Sequence, residues 1–167
     1  PKKQAGDALY EGGLAGGHFV RRTDGSLFEG QVWPARAERD PGPSVFPDFS
    51  RAATREWWGA LYRPLLDLGV AGIWNDMNEP SVFDGPGGTL PLDARHDGDG
   101  LPTDHAEIHN VYGQLMTRST FEGLLRLRPG IAQRQEDRES AGTDAAEEEC
   151  QRTHRGSYAE REALPTS

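Results

Sequence analysis

Near the middle of the chain, an apolar segment passes directly into a polar one. Small and apolar residues dominate positions 68–74, and a polar segment that ends at Pro80 follows directly. A run of this kind is typical of a buried parallel strand that ends at a functional rim. We predict a strand over residues 70–75, with Asp76 and Glu79 just past its last residue. In barrels of alternating strands and helices the chemistry lies at such rims, so one of these carboxylates is the predicted chemical centre.

Helical periodicity precedes this strand. We predict a helix over residues 51–67, capped by Ser50 and closed by Gly69, in which Pro64 either kinks the helix or starts a second short one. With a short strand at 45–48, these elements make one strand–helix–strand unit. The apolar face of the helix follows a 3, 4, 3 spacing through Trp58, Leu61, Leu65 and Leu68.

The segments on either side contain a hairpin signal and a long loop. Two strand-like runs, 18–22 and 27–33, flank Asp24 and Gly25, a dipeptide that favours a β-hairpin. Residues 80–102 are rich in Gly, Pro and Asp. Loops of this length usually serve a function or are disordered.

A second helix is predicted after the loop. Asp104, with Glu107 three residues later, makes a capping pattern, and the helix is expected to end near residues 127–129. Its predicted apolar face comprises Ile108, Val111, Tyr112, Leu115, Met116 and Leu124.

The composition changes near the end of the chain. The last 37 residues contain only Ile131, Tyr158 and Leu164 as large apolar residues, and an acidic run lies at 147–149. Such a segment buries too little apolar surface to order itself, so residues 131–167 are predicted to be a disordered tail. The abruptness of the change also fits a frameshift or a wrong exon.

Charge and cysteine content argue against several function classes. The 167-residue chain carries a formal charge of −9 and one cysteine. An acidic surface argues against nucleic acid or an anionic membrane as a partner, whereas neutral sugars stay compatible. One cysteine forms no internal disulfide, no apolar run approaches the ~20 residues of a membrane helix, and no signal peptide is visible. We therefore expect a cytoplasmic protein, and note that the sequence does not begin with Met.

Residues 72–79 read Gly-Ile-Trp-Asn-Asp-Met-Asn-Glu. This octapeptide resembles the active-site signature of glycoside hydrolase family 31, the α-glucosidase family. The resemblance runs from about residue 9 to residue 129, and further matching motifs are Val32-Trp33-Pro34, Val45 to Phe49, Glu56-Trp57-Trp58 and His109 to Gly113. It implies cleavage of α-linked glucosides with retention, on an (α/β)8 barrel.

The resemblance and the length together predict the architecture. A complete eightfold barrel needs ~250 residues, so the expected fold is α/β, a fragment of a TIM (β/α)8 barrel. Residues 1–44 would form a rim and hairpin segment, and residues 45–130 the central part of the barrel. The disordered or frameshifted tail would follow from residue 131.

The resemblance also implies roles for individual residues. The Asp that matches Asp76 is the family's nucleophile, and the Glu that matches Glu79 supports the nucleophile's loop by hydrogen bonding. Aromatic faces stack well on sugar rings, and four residues match positions that line the family's glucose pocket: Trp33, Trp74, Met77 and Phe83. The structural alternatives are a backbone cap for Asp76 and core positions for Trp74 and Phe83.

Two departures from the family pattern affect this interpretation. Residues 35–43 are inserted after Trp33-Pro34, which weakens the assignment of Trp33. The family's general acid is a distant Asp beyond the position of Pro129, on a segment whose motifs are missing here. The leading prediction is a segment of a retaining α-glucosidase that acts on an α-linked glucoside or oligosaccharide. The alternative is a non-catalytic fragment, a pseudoenzyme or a carbohydrate-binding remnant.

Two histidines raise the question of a metal. His105 and His109 have the i, i+4 spacing that binds zinc on a helix, but Glu107 does not occupy the place that the zinc-protease pattern requires. We therefore favour structural hydrogen bonding for these histidines and predict neither a metal nor a cofactor. The Gly-rich run 85–88 lacks the Lys and helix that follow a phosphate-binding loop.

Overall fold

A computed structural model describes residues 1–32 and 42–130. The chain divides into a compact unit, Pro1–Leu127, and a second unit, Arg128–Ser167, of which only the first three residues are described. The predicted tail and Trp33 lie outside the described residues. The helices are α1 (Ala8–Ala15), α2 (Ala52–Ala60), α3 (Arg63–Asp67) and α4 (His105–Leu127), and the strands are β1 (Glu29–Gly30), β2 (Ser44–Val45), β3 (Arg95–His96) and β4 (Thr103–Asp104).

The strands form two small antiparallel ladders, β1 with β2 and β3 with β4. In the first, Glu29 lies opposite Val45, and in the second Arg95 lies opposite Asp104. The predicted hairpin is present in a shorter form. Arg21 and Leu27 form an antiparallel bridge around a turn in which Gly25 has a φ of +84°.

The predicted parallel strand at 70–75 is wrong as an observed element, because this segment has no regular backbone structure. The predicted strand at 45–48 is reduced to β2. A parallel strand forms its hydrogen bonds only with neighbouring strands. Within the described residues no strand runs beside 70–75, so of the predicted strand–helix–strand unit only the shortened first strand and the helical part form.

The predicted helix at 51–67 is two helices, α2 and α3, with Pro64 in the first turn of α3. Gly69 follows α3 with a φ of +92° and donates its N–H to the carbonyl of Leu66 at 3.0 Å, as predicted for a helix-closing glycine. The predicted Ser50 cap is wrong. Arg51 occupies the N-cap position without a side-chain cap, because the Ser50 hydroxyl donates to Asp48 at 2.6 Å instead.

Helix α4 begins and ends as predicted. The Asp104 carboxylate accepts the backbone N–H of Glu107 at 3.3 Å, and the Thr103 hydroxyl donates to the Glu107 carboxylate. The buried face differs from the predicted apolar one, of which only Tyr112 is fully buried. The buried positions are His105, Tyr112, Ser119, Thr120 and Gly123.

Small residues occupy this face because α2 packs on it at backbone distance. A Cβ placed on Gly123 would lie 2.5 Å from the Cα of Gly59 on α2. We expect Gly123→Ala to lower the free energy of unfolding by about 1–3 kcal/mol, the usual cost of overpacking. Urea unfolding followed by circular dichroism measures this change.

Gly12 in α1 provides the matched control. A Cβ there would meet only the Trp57 side chain, at an ordinary contact distance of 3.7 Å. Alanine favours a helix over glycine by about 1 kcal/mol, so Gly12→Ala should be neutral or slightly stabilising. Equal stability of the two variants would show that α2 and α4 do not cross in backbone contact.

The long loop 80–102 is part of the core. One apolar cluster contains Val82, Leu90 and Ala94 from this loop, together with Val20, Phe28 and Phe46. A second cluster is formed by Tyr10, Phe19 and Val45, with Leu27 and Trp57 packed against it. This packing therefore fixes the position of the loop, which begins four residues after Asp76.

Several large apolar side chains remain at the surface. Leu68 is 83% exposed, Trp74 87% and Leu101 79%. Exposed apolar surface of this kind marks binding sites or surfaces that another segment covers. In the described part of the chain, α4 is the longest helix, and it and the shorter ones fall short of the length or apolar content that crossing a bilayer requires.

Candidate active site

The segment that leads to Asp76 keeps the side-chain alternation of a strand. Its positions alternate in burial although they form no ladder. The exposed positions are Gly72, Trp74 and Asp76, and the half-buried ones are Ile73 and Asn75. Trp74 and Asp76 therefore share the outer face, and Asn75 faces the helices, where its Oδ1 accepts a hydrogen bond from Thr120 at 3.0 Å.

The backbone turns immediately after Asp76. Met77 adopts a left-handed φ of +56°, which costs a residue with a Cβ roughly 1 kcal/mol or more. The Asp76 carboxylate accepts the Met77 N–H at 2.9 Å, and Ser81 donates its own N–H to the Met77 carbonyl at 3.2 Å. This closed turn holds Asp76 at the tip of the segment.

Glu79 contacts the same turn. Its carboxylate accepts the Ser81 hydroxyl at 2.8 Å. Hydrogen bonds from its own backbone N–H and from Ser81 hold the pKa of Glu79 below its usual value. Glu79 therefore braces the loop that carries Asp76, a geometry that suits the predicted supporting role.

The predicted sugar-pocket residues are not brought together. Trp74 borders an open depression with Thr117 of α4, and Phe83 is 52% exposed. Met77 and Asn78 instead line a cavity of about 380 Å³, whose other walls include Phe46, Phe49, Trp58 and Tyr112. Of the described pocket candidates, Met77 thus borders a largely apolar cavity, which is open to solvent.

Phe83 lies beside the segment that leads to Trp33, the fourth predicted pocket residue. Its N–H donates to the carbonyl of Gln31 at 2.8 Å, and the Asp84 carboxylate accepts the Gln31 N–H at 2.7 Å. A Cβ on Gly30 would lie 2.5 Å from a methyl group of Val82, so the two segments touch closely. The structure therefore places Phe83 close to the end of the segment that precedes Trp33.

A buried hydrogen-bonded chain of polar side chains was missed by the sequence analysis. His96 Nδ1 lies 2.8 Å from Asp48, His96 Nε2 lies 3.1 Å from His105 Nδ1, and His105 Nε2 lies 3.5 Å from the Thr89 hydroxyl. One assignment satisfies every group with both histidines neutral: Thr89 donates to His105, His105 to His96, and His96 to the carboxylate. Asp48 also accepts the backbone N–H of Asp97 at 2.7 Å.

Both ring nitrogens of His105 lie within hydrogen-bond distance of other side chains, as expected for a structural role. His109 bonds Asn110 at 3.1 Å, as the favoured interpretation predicted. Among the residues that the structure describes, no three His, Cys, Asp or Glu side chains are grouped to hold a metal ion. The available signal was Asp48 itself, a carboxylate within the apolar run Val45 to Phe49 that requires a buried partner.

The network perturbs the ionisation of its members. Burial, followed by the proximity of His96 and His109, lowers the pKa of His105 to about 4. Burial acts to raise the pKa of Asp48, but hydrogen bonds from His96, Ser50 and the Asp97 backbone prevail and keep it below the usual value. Burial, with Asp48 nearby, raises the pKa of Tyr112, whose hydroxyl donates to the carbonyl of Pro47 at 2.8 Å.

A pH dependence of stability follows. The unfolded chain binds a proton at His105 near pH 6.5, whereas the folded chain binds it only near pH 4. Stability should therefore be unaffected by this group above pH 6.5 and should fall as the pH drops from about 6.5 to about 4. Asp104 opposes this shift weakly, and Asp48 adds a further loss at lower pH as its own carboxylate becomes protonated.

Urea unfolding at several pH values checks this prediction, with His105→Gln as the test variant. The variant should flatten the slope between pH 6.5 and pH 4. A smaller slope should remain, because burial and Arg51 also lower the pKa of His18. An unchanged slope in His105→Gln would contradict the assignment to His105.

Comparison with known proteins agrees with this geometry. A sequence profile described as the glycosyl hydrolases family 31 TIM-barrel domain matches residues 1–143. Alpha-glucosidase 2 of Bacillus thermoamyloliquefaciens is 42% identical over 122 residues, which cover 73% of this chain and 14% of that protein. Neutral alpha-glucosidase AB of Sus scrofa is 39% identical over 121 residues, which cover 71% of this chain and 12% of that protein.

A solved structure gives the same answer. The crystal structure of a glucosidase II alpha subunit aligns with a TM-score of 0.65 and 36% identity, over 77% of this chain and 13% of that one. The chain thus spans roughly an eighth of the length of the relatives that it matches. Within that span, the correspondence to a TIM-barrel domain accounts for the alternating segment that lacks strand neighbours. The chain belongs to glycoside hydrolase family 31.

Proposed function

We propose that this chain carries the nucleophile segment of a retaining α-glucosidase, with Asp76 as the attacking carboxylate. The supporting observation is the position of Asp76. It is exposed at the end of a segment with strand-like alternation, on the same face as Trp74, and the side chain of the preceding residue, Asn75, is held by Thr120 of α4. A carboxylate held in this way faces a ligand at the rim of a barrel.

The reaction would proceed by double displacement. The Asp76 carboxylate attacks the anomeric carbon of an α-glucoside, the bond from that carbon to the leaving oxygen breaks, and a β-linked glycosyl-enzyme forms. A second carboxyl group, ~5–5.5 Å from the nucleophile, protonates the leaving oxygen and then activates water. The family resemblance assigns that acid to a distant Asp beyond the position of Pro129, on a segment whose motifs are missing from the 167 residues.

Glu79 would act through the loop and not on the substrate. Its bond to Ser81 stabilises the turn that follows the nucleophile. Met77, Trp74 and Phe83 would line the sugar site once further segments of the barrel cover them.

The proposed substrate is an α-linked glucoside or oligosaccharide. Glucosidase II alpha subunits have been solved bound to DNJ and to alpha3-Glc2, and a family 31 dextranase of Flavobacterium johnsoniae has been solved in complex with glucose. Asp76 and Trp74, side by side on one face, support a site of the same chemical class here.

The test is a graft. Residues 1–130 replace the matching segment of the Bacillus alpha-glucosidase 2, and hydrolysis of an aryl α-glucoside is measured. Turnover that depends on Asp76 supports the proposal, and a folded graft that is inactive contradicts it.

A second candidate is a non-catalytic carbohydrate-binding remnant. It is favoured by Trp74, which is 87% exposed and available for stacking on a sugar face without any acid partner. Titration of the chain with maltose, followed by tryptophan fluorescence, separates the two. A saturable change that Trp74→Ala abolishes, together with an inactive graft, favours the second candidate.

A further inference from the structure

A directed chain of hydrogen bonds joins two helices to the residue before Asp76. The Trp58 indole N–H donates to the Tyr62 hydroxyl at 2.8 Å, Tyr62 lies 2.9 Å from the Thr120 hydroxyl, and Thr120 reaches Asn75 Oδ1 at 3.0 Å. Trp58 belongs to α2, Tyr62 stands at the junction of α2 and α3, and Thr120 belongs to α4.

The direction of the chain follows from the donors that are available. An indole nitrogen only donates, and each hydroxyl has one proton to give. Tyr62 accepts from Trp58. Asn75 Oδ1 and the Met116 carbonyl, at 3.2 Å, both accept from Thr120, so the single Thr120 proton is used there and the Tyr62 hydroxyl donates to Thr120. Tyr62 and Thr120 are 9% and 4% exposed, so the bonds are shielded from water, where each lost partner is costly.

The chain of hydrogen bonds acts on residues 72–76 at one point, the side chain of Asn75. Because side chains alternate along residues 72–76, fixing Asn75 towards α4 fixes Trp74 and Asp76 towards the opposite side. Beyond Asp76, a Cβ on Gly113 would lie 3.1 Å from the carbonyl of Asn78, so α4 also touches the segment there. Asp76 lies between these two contacts.

We infer that Thr120, oriented by Tyr62 and Trp58, is a positioning residue that sets the orientation of Asp76 through Asn75. The role of Asp76 in this inference rests on the proposed function. The contact of Thr120 with Asn75, called the anchor below, rests on geometry alone. Thr120 does not touch the reacting atoms. It fixes the direction in which the carboxylate points.

Three variants test the anchor in the graft and in the chain itself. Thr120→Val keeps the shape and removes the hydroxyl, Thr120→Ser keeps the hydroxyl, and Ser119→Ala removes a neighbouring buried hydroxyl that donates to the Arg55 carbonyl at 2.8 Å. In the graft, Thr120→Val should lower kcat roughly tenfold to hundredfold with KM within about threefold, because a small misplacement of a catalytic group costs this much. Thr120→Ser should restore kcat to within about threefold, and Ser119→Ala should lower the Tm and leave kcat unchanged.

The second readout does not depend on activity. In the ¹⁵N-labelled chain, Thr120→Val should lower the backbone order parameters of residues 73–77 from about 0.85 towards 0.6, while those of α2 and α4 stay rigid. Tyr62→Phe, which removes the donor to Thr120, should have the same local effect and serves where Thr120→Val does not fold. Unchanged order parameters, or a kcat loss equal in Thr120→Ser, would overturn the anchor. Full activity of an Asp76 variant would instead overturn the proposed function, and the order parameters would still decide on the anchor.

Discussion

Asp76→Ala, introduced into the graft of residues 1–130, should abolish turnover of an activated aryl α-glucoside. The expected loss in kcat is on the order of 10⁴-fold or more, the scale that follows removal of a catalytic nucleophile. The reason is geometric, since Asp76 is the carboxylate that the turn at Met77 presents at the tip of the segment. An aryl leaving group needs little protonation, so its release reports mainly on the nucleophile.

Azide distinguishes a missing nucleophile from a damaged fold. In Asp76→Ala the small anion can enter the space that the carboxylate leaves. It attacks the anomeric carbon from the same side, the carbon–nitrogen bond forms, the aryloxide departs, and the product is a β-glycosyl azide. Formation of this product supports the assignment of Asp76, because an unfolded graft makes neither sugar nor azide product.

Glu79→Gln is the matched control for charge at the same loop. It keeps the size of the side chain and still accepts the Ser81 hydroxyl, so the turn should loosen only slightly and kcat should fall about tenfold. Retained activity in Asp76→Ala together with its loss in Glu79→Gln would reverse the two roles.

Local sequence patterns predicted the helical part of the fold well. Asp104, Gly69 and Pro64 each act through a few neighbouring backbone atoms, so their effects can be read without knowing the fold. The hairpin at Asp24 and Gly25 is local in the same sense.

The patterns failed where a distant partner decides the structure. Ser50 reads as a helix cap, but it bonds Asp48 and accepts the N–H of Gly98, two contacts that only the folded loop provides. The apolar stripe of α4 predicted a core face, whereas packing against Gly59 selects the face with small residues. Segment 70–75 carries the sequence of a strand and lacks strand neighbours among the described residues.

The candidate site divides along the same line. Asp76 and Glu79 could be predicted because a rare octapeptide contains them, and the bonds that each forms in the structure are local. The Asn75–Thr120 contact spans 45 residues and depends on how three helical elements meet, so periodicity alone does not predict it. A pocket built from Trp74 and Phe83 needs opposing walls, which the described residues do not supply.

The largest stability effect in the described unit is expected at Asp48. Removal of its carboxylate by Asp48→Ala leaves the His96 ring N–H and the Asp97 backbone N–H without their buried acceptor. Leaving these two buried donors without an acceptor costs about 1–3 kcal/mol each. That is a large share of the roughly 5–15 kcal/mol that stabilises an ordinary domain, so we expect Asp48→Ala to unfold at much lower urea concentration or to be unfolded outright.

Three further variants make this result interpretable. Asp93→Ala removes an exposed carboxylate on the loop that carries His96 and Asp97, and it should change stability by no more than about 0.5 kcal/mol. Asp48→Asn keeps an acceptor for His96 but turns an amide towards the Asp97 N–H, so it should fall between the two. If Asp48→Ala were as stable as Asp93→Ala, the buried hydrogen bonds of Asp48 would result from the packing and would not stabilise the fold. If instead the double variant with His96→Leu recovered stability, the cost would lie in the unpaired histidine, because replacing both members of a buried pair is far milder than removing one.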